Sequence, residues 1–306
     1  MSKWDTYKQV NDRLKKDFFC LPPYKFTHKD IADFSSLAGE KLVAKISGII
    51  GMPAQRAHQM EYRYKYCPIF QKAMPVIEYA TFGIFSGEFI CSYLALLPTI
   101  EGIFYQWEAE NPSLSFIYQT NSKNDSVKAF VNSLKSFMDK SEFYTDDRAV
   151  ITDSIRDYLI WILKEVLYAR GPKYKEKNIP FIFNRNLSLH ELVGIEDEVV
   201  CVRNMQRLFL ILDIIAELYL WTNPDKMREA WCQAEFYDTH SVDVKLRTQL
   251  YLKRVASHIW RDDLNIVRNA LLGNATDEAK ILQTATLKFE TDFINQQPYP
   301  KHNKIN

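Results

Sequence analysis

Residues 179–220 read IPFIFNRNLSLHELVGIEDEVVCVRNMQRLFLILDIIAELYL. From Leu208 to Leu220 the stretch is apolar on nearly every side of a helix, interrupted only by Asp213 and Glu217, and Asn223-Pro224 stops it. A helix that is apolar all round must be covered by neighbours, so residues 198–221 are expected to form the central element of a helical bundle. Paired carboxylates four residues apart on one helix invite an acid/base or metal reading. No matching Glu-x-x-His accompanies them, so Asp213 and Glu217 are expected to make interhelical hydrogen bonds.

Outward from this stretch the helical period persists. In residues 149–170, Ile151, Ile155, Tyr158, Leu159, Ile162, Leu163, Val166 and Leu167 recur at i, i+3, i+4 and i+7 spacing, with Asp146 or Asp147 as a start and Gly171-Pro172 as an end. Further helices are predicted at about 29–50, 85–107, 125–143, 225–237, 243–260, 262–272 and 276–295. Thr27 or His28 precedes the first of these. No period-2 strand series is present, and only 9 Gly and 12 Pro in 306 residues argue against turn-rich β architectures. The fold class is therefore all-α.

Composition narrows the function classes. Lys+Arg total 39 against 38 Asp+Glu, a net charge of +1, which excludes a generally basic nucleic-acid binder but leaves room for a local basic cleft. The charge is segregated. Lys164, Arg170, Lys173, Lys175, Lys177 and Arg185 precede an acidic run of Glu191, Glu196, Asp197 and Glu198. The five cysteines are widely spaced with no Cys-x-x-Cys pair, which suits reduced thiols in the cytoplasm. The N-terminal residues lack the apolar core of a signal peptide. The most apolar stretch, Tyr79 to Trp107, carries Glu88, Pro98 and Glu101, and its uncharged run is too short to span a bilayer; a buried helix is expected there, with no membrane partner.

Several familiar sites are absent. There is no G-x-G-x-x-G, no phosphate-binding P-loop and no G-x-S-x-G elbow. His190-Glu191 starts like a zincin motif but is not completed. The other histidines show no metal-ligand spacing and read as surface or packing residues.

What remains is Arg185-Asn186-Leu187-Ser188-Leu189-His190, an R-N-x-x-x-H pattern between a basic loop and the central helix. This pairing suits phosphodiester chemistry. Arg185 holds its charge at any physiological pH and can fork onto two phosphate oxygens. His190 titrates near neutrality and can move a proton. An RNA 2′-hydroxyl would then attack the adjacent phosphorus while Arg185 stabilises the developing charge. Such a site needs neither metal nor cofactor, because the nucleophile belongs to the substrate, and DNA would be inert.

The R-N-x-x-x-H pattern before a final bundle helix resembles the HEPN superfamily. The wider N-R-x-x-x-L-H followed by R-L-F-L-I-L-D is similar to a group of bacterial HEPN-like proteins, and Pro98-Thr99-Ile100-Glu101-Gly102-Ile103 resembles that group's upstream region. Glu191 stands where that group usually has Gly. The resemblance covers residues 80–222. It implies a HEPN-type multi-helix bundle at 76–222, with an N-terminal helical region at 1–75, C-terminal helices at 223–295 and a polar tail at 296–306. It also implies a homodimer with two Arg/His pairs on one cleft, metal-independent RNA cleavage in phage defence, abortive infection or toxin–antitoxin systems, and an antitoxin or sensor protein as partner. Many members are instead non-catalytic modules that bind a nucleotide, RNA or protein.

On this reading Arg185 and His190 are catalytic, and Asn184, Asn186, Arg203 and Arg207 contact the substrate. Each has a plainer role beside it. His190 would cap the following helix, Arg185 would pair with Glu191, Glu196 or Asp197, and the asparagines would form turns. Arg203 and Arg207 would lie on a solvated face with Glu196 or Glu198.

Overall fold

The computed structural model describes residues 3–22, 25–110, 155, 157–159, 161–168, 183–185, 187–191, 195, 197–223, 225–230 and 242–262. Every regular element among them is helical. The chain opens with α1 (Lys3–Leu14) and a 3-10 turn, Lys15–Asp17. Then follow α2 (His28–Ser35), α3 (Gly39–Gly51), α4 (Pro53–Tyr62), α5 (Met74–Phe85), α6 (Phe89–Leu96) and α7 (Thr99–Glu110). Two π-helical segments, Ile162–Leu167 and Leu187–Glu191, precede the 25-residue α8 (Glu198–Thr222). The last described helix is α9 (Val242–Asp262).

Helix α8 holds the centre, as its composition requires. Every residue from Asn204 to Leu220 is buried. It packs on α3 and α6; α5 and α6 form a pair, and α9 lies across α4 and α5. Asp197 caps α8, its carboxylate accepting from the Val199 amide at 2.8 Å. One buried apolar cluster runs from Tyr7 on α1 to Val255 on α9.

Two predicted helices are subdivided. The span 29–50 breaks between α2 and α3, where Gly39 adopts φ +56°, a conformation that costs other residues a Cβ clash. Thr27 caps α2 with a reciprocal capping box to Asp30. The span 85–107 breaks at Gly87, with φ +79°, and again at Pro98 between α6 and α7. Phe89–Glu110 is long and apolar enough to cross a membrane by length and composition alone, and half of its apolar window is buried inside the molecule. The helices predicted at 125–143 and 276–295 lie outside the described residues, as do residues 263–272, the tail and all of 231–241.

Residues 18–22 form a buried strap that is not helical, and Phe26 beyond it is buried too. Phe18, Phe19, Cys20, Leu21 and Phe26 are at most 5% exposed. A buried loop needs partners for its backbone, and side chains supply them here. Arg207 Nε donates to the Asp17 carbonyl at 3.1 Å and Tyr158 Oη to the Phe18 carbonyl at 3.0 Å. Asn11 Oδ1 accepts from the Leu21 amide at 2.8 Å, and Tyr7 Oη donates to the Leu21 carbonyl. The strap begins with a Schellman pair, Phe18 N to Lys15 O and Phe19 N to Leu14 O. Phe18 takes the left-handed position usual for glycine, at φ +61°. Its ring offsets that cost by stacking on Trp161 at 5.7 Å between centroids.

Candidate functional site

Within the R-N-x-x-x-H segment, Arg185 is helical and residues 187–190 belong to the π-helical Leu187–Glu191. His190 lies within this π-helical segment and Arg185 two residues before its start. π-helical turns are rare and recur at functional sites. A second one, Ile162–Leu167, lies alongside, closed by an i→i+5 bond from the Tyr168 amide to the Leu163 carbonyl at 2.9 Å.

Asn184 joins the two. Its side chain is fully buried; Nδ2 donates to the Val166 carbonyl at 2.7 Å, and Oδ1 accepts from the Leu187 amide at 3.0 Å. Both ends of the amide thus serve the backbone, the turn-forming role named beside the substrate one. Below the turn, buried Ser188 shares a 3.2 Å hydrogen bond with Tyr93 on α6. Burial, the larger effect, outweighs this bond and pushes the Tyr93 phenol up to about 12.

Arg185 stands at the start of the turn with a 16% exposed side chain. Its Nη2 meets Glu101 on α7 at 3.1 Å, and its guanidinium lies 5.9 Å from the centre of the Tyr168 ring. Glu101, in the upstream segment 98–103, is thus a carboxylate partner of Arg185, while the side chains of Glu191 and Glu196 lie outside the described residues. His190 lies in the π-helical turn by its backbone, while its side chain lies outside the described residues, as do Asn186 and the basic residues 170–177.

The expectation of a solvated Arg203/Arg207 face is corrected. Arg203 reaches across to α3, pairing with Glu40 and donating to Ser47 Oγ at 2.5 Å. Arg207 is 8% exposed, bonded to Asn204 Oδ1 at 2.6 Å and to the Asp17 carbonyl, with the rings of Phe18, Phe19 and Phe183 around it. Burial, reinforced by Arg203, lowers its pKa to about 10, which leaves it charged at neutral pH. The reason for the correction is tertiary: α3 and the strap cover this side of α8. As substrate contacts, both arginines would first have to leave these partners.

A second polar cluster has no counterpart in the predicted site. Asp213, 1% exposed, accepts from Lys25 Nζ at 2.5 Å, from Arg56 Nη2 at 2.8 Å and from Tyr64 Oη at 2.5 Å. Arg56 also donates to the Ile50 carbonyl at 2.8 Å and lies 4.5 Å from the Phe209 ring centre. Burial alone would raise the Asp213 carboxyl, but Arg56 and Lys25 outweigh it and hold it below the usual range. Burial first, then Arg56, bring the Lys25 amine down to about 8 against the pull of Asp213. Asp213 thus makes the interhelical bonds expected of it. The signal was a lone carboxylate in an apolar run, which demands buried cations without saying which.

Among the described residues no group of three or more His, Cys, Asp or Glu is placed to hold a metal ion. Cys20, Cys67, Cys91 and Cys201 are free thiols. His58 packs its ring edge-on to Tyr62 at 4.7 Å, the packing role expected of the scattered histidines. Compared with protein-family models, with curated proteins and with solved structures, the chain matches none.

Proposed function

We propose that this protein is a metal-independent endoribonuclease of the HEPN type, acting on RNA through Arg185 and His190. The observation that carries this reading is the placement of the part-buried Arg185 just before the π-helical segment Leu187–Glu191, whose backbone carries His190. Asn184 and Ser188 anchor the base of that turn, while the Arg185 side chain keeps contact with solvent. In this reading the Arg185 fork binds the scissile phosphate and His190 moves a proton to or from the reacting oxygens. The 2′-oxygen bonds to phosphorus, the P–O5′ bond breaks, and the 5′-oxygen leaves with a proton. The protein would work in the cytoplasm as a homodimer in defence or toxin–antitoxin systems, with an antitoxin or sensor protein as partner.

One observation favours the second reading, a non-catalytic module that binds a nucleotide, RNA or a protein. Arg185 already holds a carboxylate, and Asn184, Arg203 and Arg207 are engaged inside the molecule. The two readings separate on RNA incubated with wild type, Arg185→Ala and His190→Ala in EDTA. The enzyme reading expects cleavage by wild type and at least about a hundredfold loss in each variant, with unchanged helical circular dichroism. Binding without cleavage by any of the three supports the module.

A further inference from the structure

The Glu101–Arg185 pair joins two segments 84 positions apart in sequence, α7 and the π-helical turn. The two side chains are 12% and 16% exposed, so water screens the pair less than it would a surface one. The two groups are also a chemical match for something else. A carboxylate and a phosphodiester both offer two anionic oxygens in the geometry that a guanidinium fork accepts. A fork face held by Glu101 cannot at the same time receive a phosphate there, and Glu101 would repel the incoming anion until it turned aside. The two π-helical segments, stapled by Asn184, fix the turn, so relief has to come from the carboxylate side.

We infer that Glu101 is an autoinhibitory stand-in for the phosphate: it occupies the Arg185 guanidinium in the resting protein, and an RNA strand must displace it to engage the site. This rests on the reading of Arg185 as the phosphate-binding residue, and it adds a regulatory residue that the R-N-x-x-x-H pattern does not contain. Glu101 touches no reacting atom in this scheme and acts only through Arg185. Anything that draws Glu101 off Arg185, such as a basic partner surface near the N-terminal turn of α7, would activate the site without changing the catalytic pair.

The test uses the full chain and a short fluorescein-labelled 2′-O-methyl RNA, which binds but cannot be cut. Fluorescence anisotropy gives its affinity for wild type, Glu101→Gln, Arg185→Ala and the double variant. Glu229→Gln serves as the charge control, because Glu229 pairs with exposed Lys226 on the 225–230 helical piece, outside α7 and the turn that carries Arg185. Glu101→Gln should tighten RNA binding by about three- to tenfold, Glu229→Gln should leave it near wild type, and the double variant should fall back to the Arg185→Ala level. Weaker binding by Glu101→Gln would show that Glu101 positions Arg185, and overturns the inference. So would a gain that survives in the double variant or an equal gain from Glu229→Gln. The nuclease reading fails on a different measurement: ordinary RNA left uncut by both wild type and Glu101→Gln. In that case a binding gain that depends on Arg185 would still support Glu101 as the gate of a binding module.

Discussion

Asp213 is the residue on which most of the interior charge depends. Lys25 and Arg56 share its carboxylate with side chains 2% exposed. Asp213→Asn keeps the shape but removes the anion, which strands two cations in the core. Urea unfolding is expected to show a loss of about 3–5 kcal/mol; a loss under 1 kcal/mol would mean that other groups balance the charge. Lys25 adds a pH signature. Its folded-state pKa near 8 lies below the ordinary lysine value of 10.5, so between those values the unfolded chain holds more protons. The stabilising contribution of Lys25 is therefore absent below about pH 8 and grows as pH rises towards 10.5. The groups facing Lys25 Nζ are Arg56, Asp213 and, at longer range, Glu217. The stability of wild type relative to Lys25→Met should thus increase from pH 7 to pH 9.5, and a flat or falling difference would contradict the placement of the amine. Nothing in the sequence around Lys25 announces this role, because it sits in a turn, 188 positions from the carboxylate it meets.

At the scale of the element, the long periodic segments were legible and their interruptions were not. Helix α8 spans 198–222 against an expected 198–221, and α9 spans 242–262 against 243–260. Apolar periodicity reports the length of such helices, and on α8 nearly all faces are covered, whereas on α9 Leu246 and Leu250 of the apolar stripe stay exposed while Tyr251 and Val255 are buried. It does not report where the chain changes direction. The expected helix at 85–107 instead folds back on itself at Gly87, and α5 then packs so closely on α6 that a Cβ at Gly83 would lie 2.0 Å from Ser92 Oγ. Gly83→Ala is accordingly expected to cost about 1–3 kcal/mol. Most of that should be recovered in Gly83→Ala/Ser92→Ala, which removes the obstructing hydroxyl. Additive losses in a double-mutant cycle would show that the two helices do not touch there. The strap at 18–22 was illegible for a related reason. Its apolar residues carry no period, and its carbonyls are satisfied by Tyr7, Tyr158 and Arg207, from three separate parts of the chain.

For the whole molecule, the all-helical architecture with α8 at its centre follows from composition and period, and the structure has it among the described residues. The candidate site was legible in part. The second half of the R-N-x-x-x-H pattern falls in the π-helical segment Leu187–Glu191, a winding that the sequence does not announce. The partners of its arginines were not legible. Glu101 and Glu40 reach Arg185 and Arg203 from helices distant in sequence, where the local charge pattern pointed only to the nearer acidic run. The net charge of +1 accordingly hides arginines committed to interior and interhelical partners, Arg185 among them through Glu101.

The central claim is that Arg185 and His190 promote attack of an RNA 2′-hydroxyl on its own phosphate, and the ends of the products test it most directly. RNA cut by the wild-type protein in EDTA should carry 2′,3′-cyclic phosphate and 5′-hydroxyl termini. A single 2′-deoxy substitution at the cut position should block cleavage there, and His190→Ala should yield none of these products. Products with 5′-phosphate ends, cleavage through the 2′-deoxy position, or equal cleavage by His190→Ala would contradict the account.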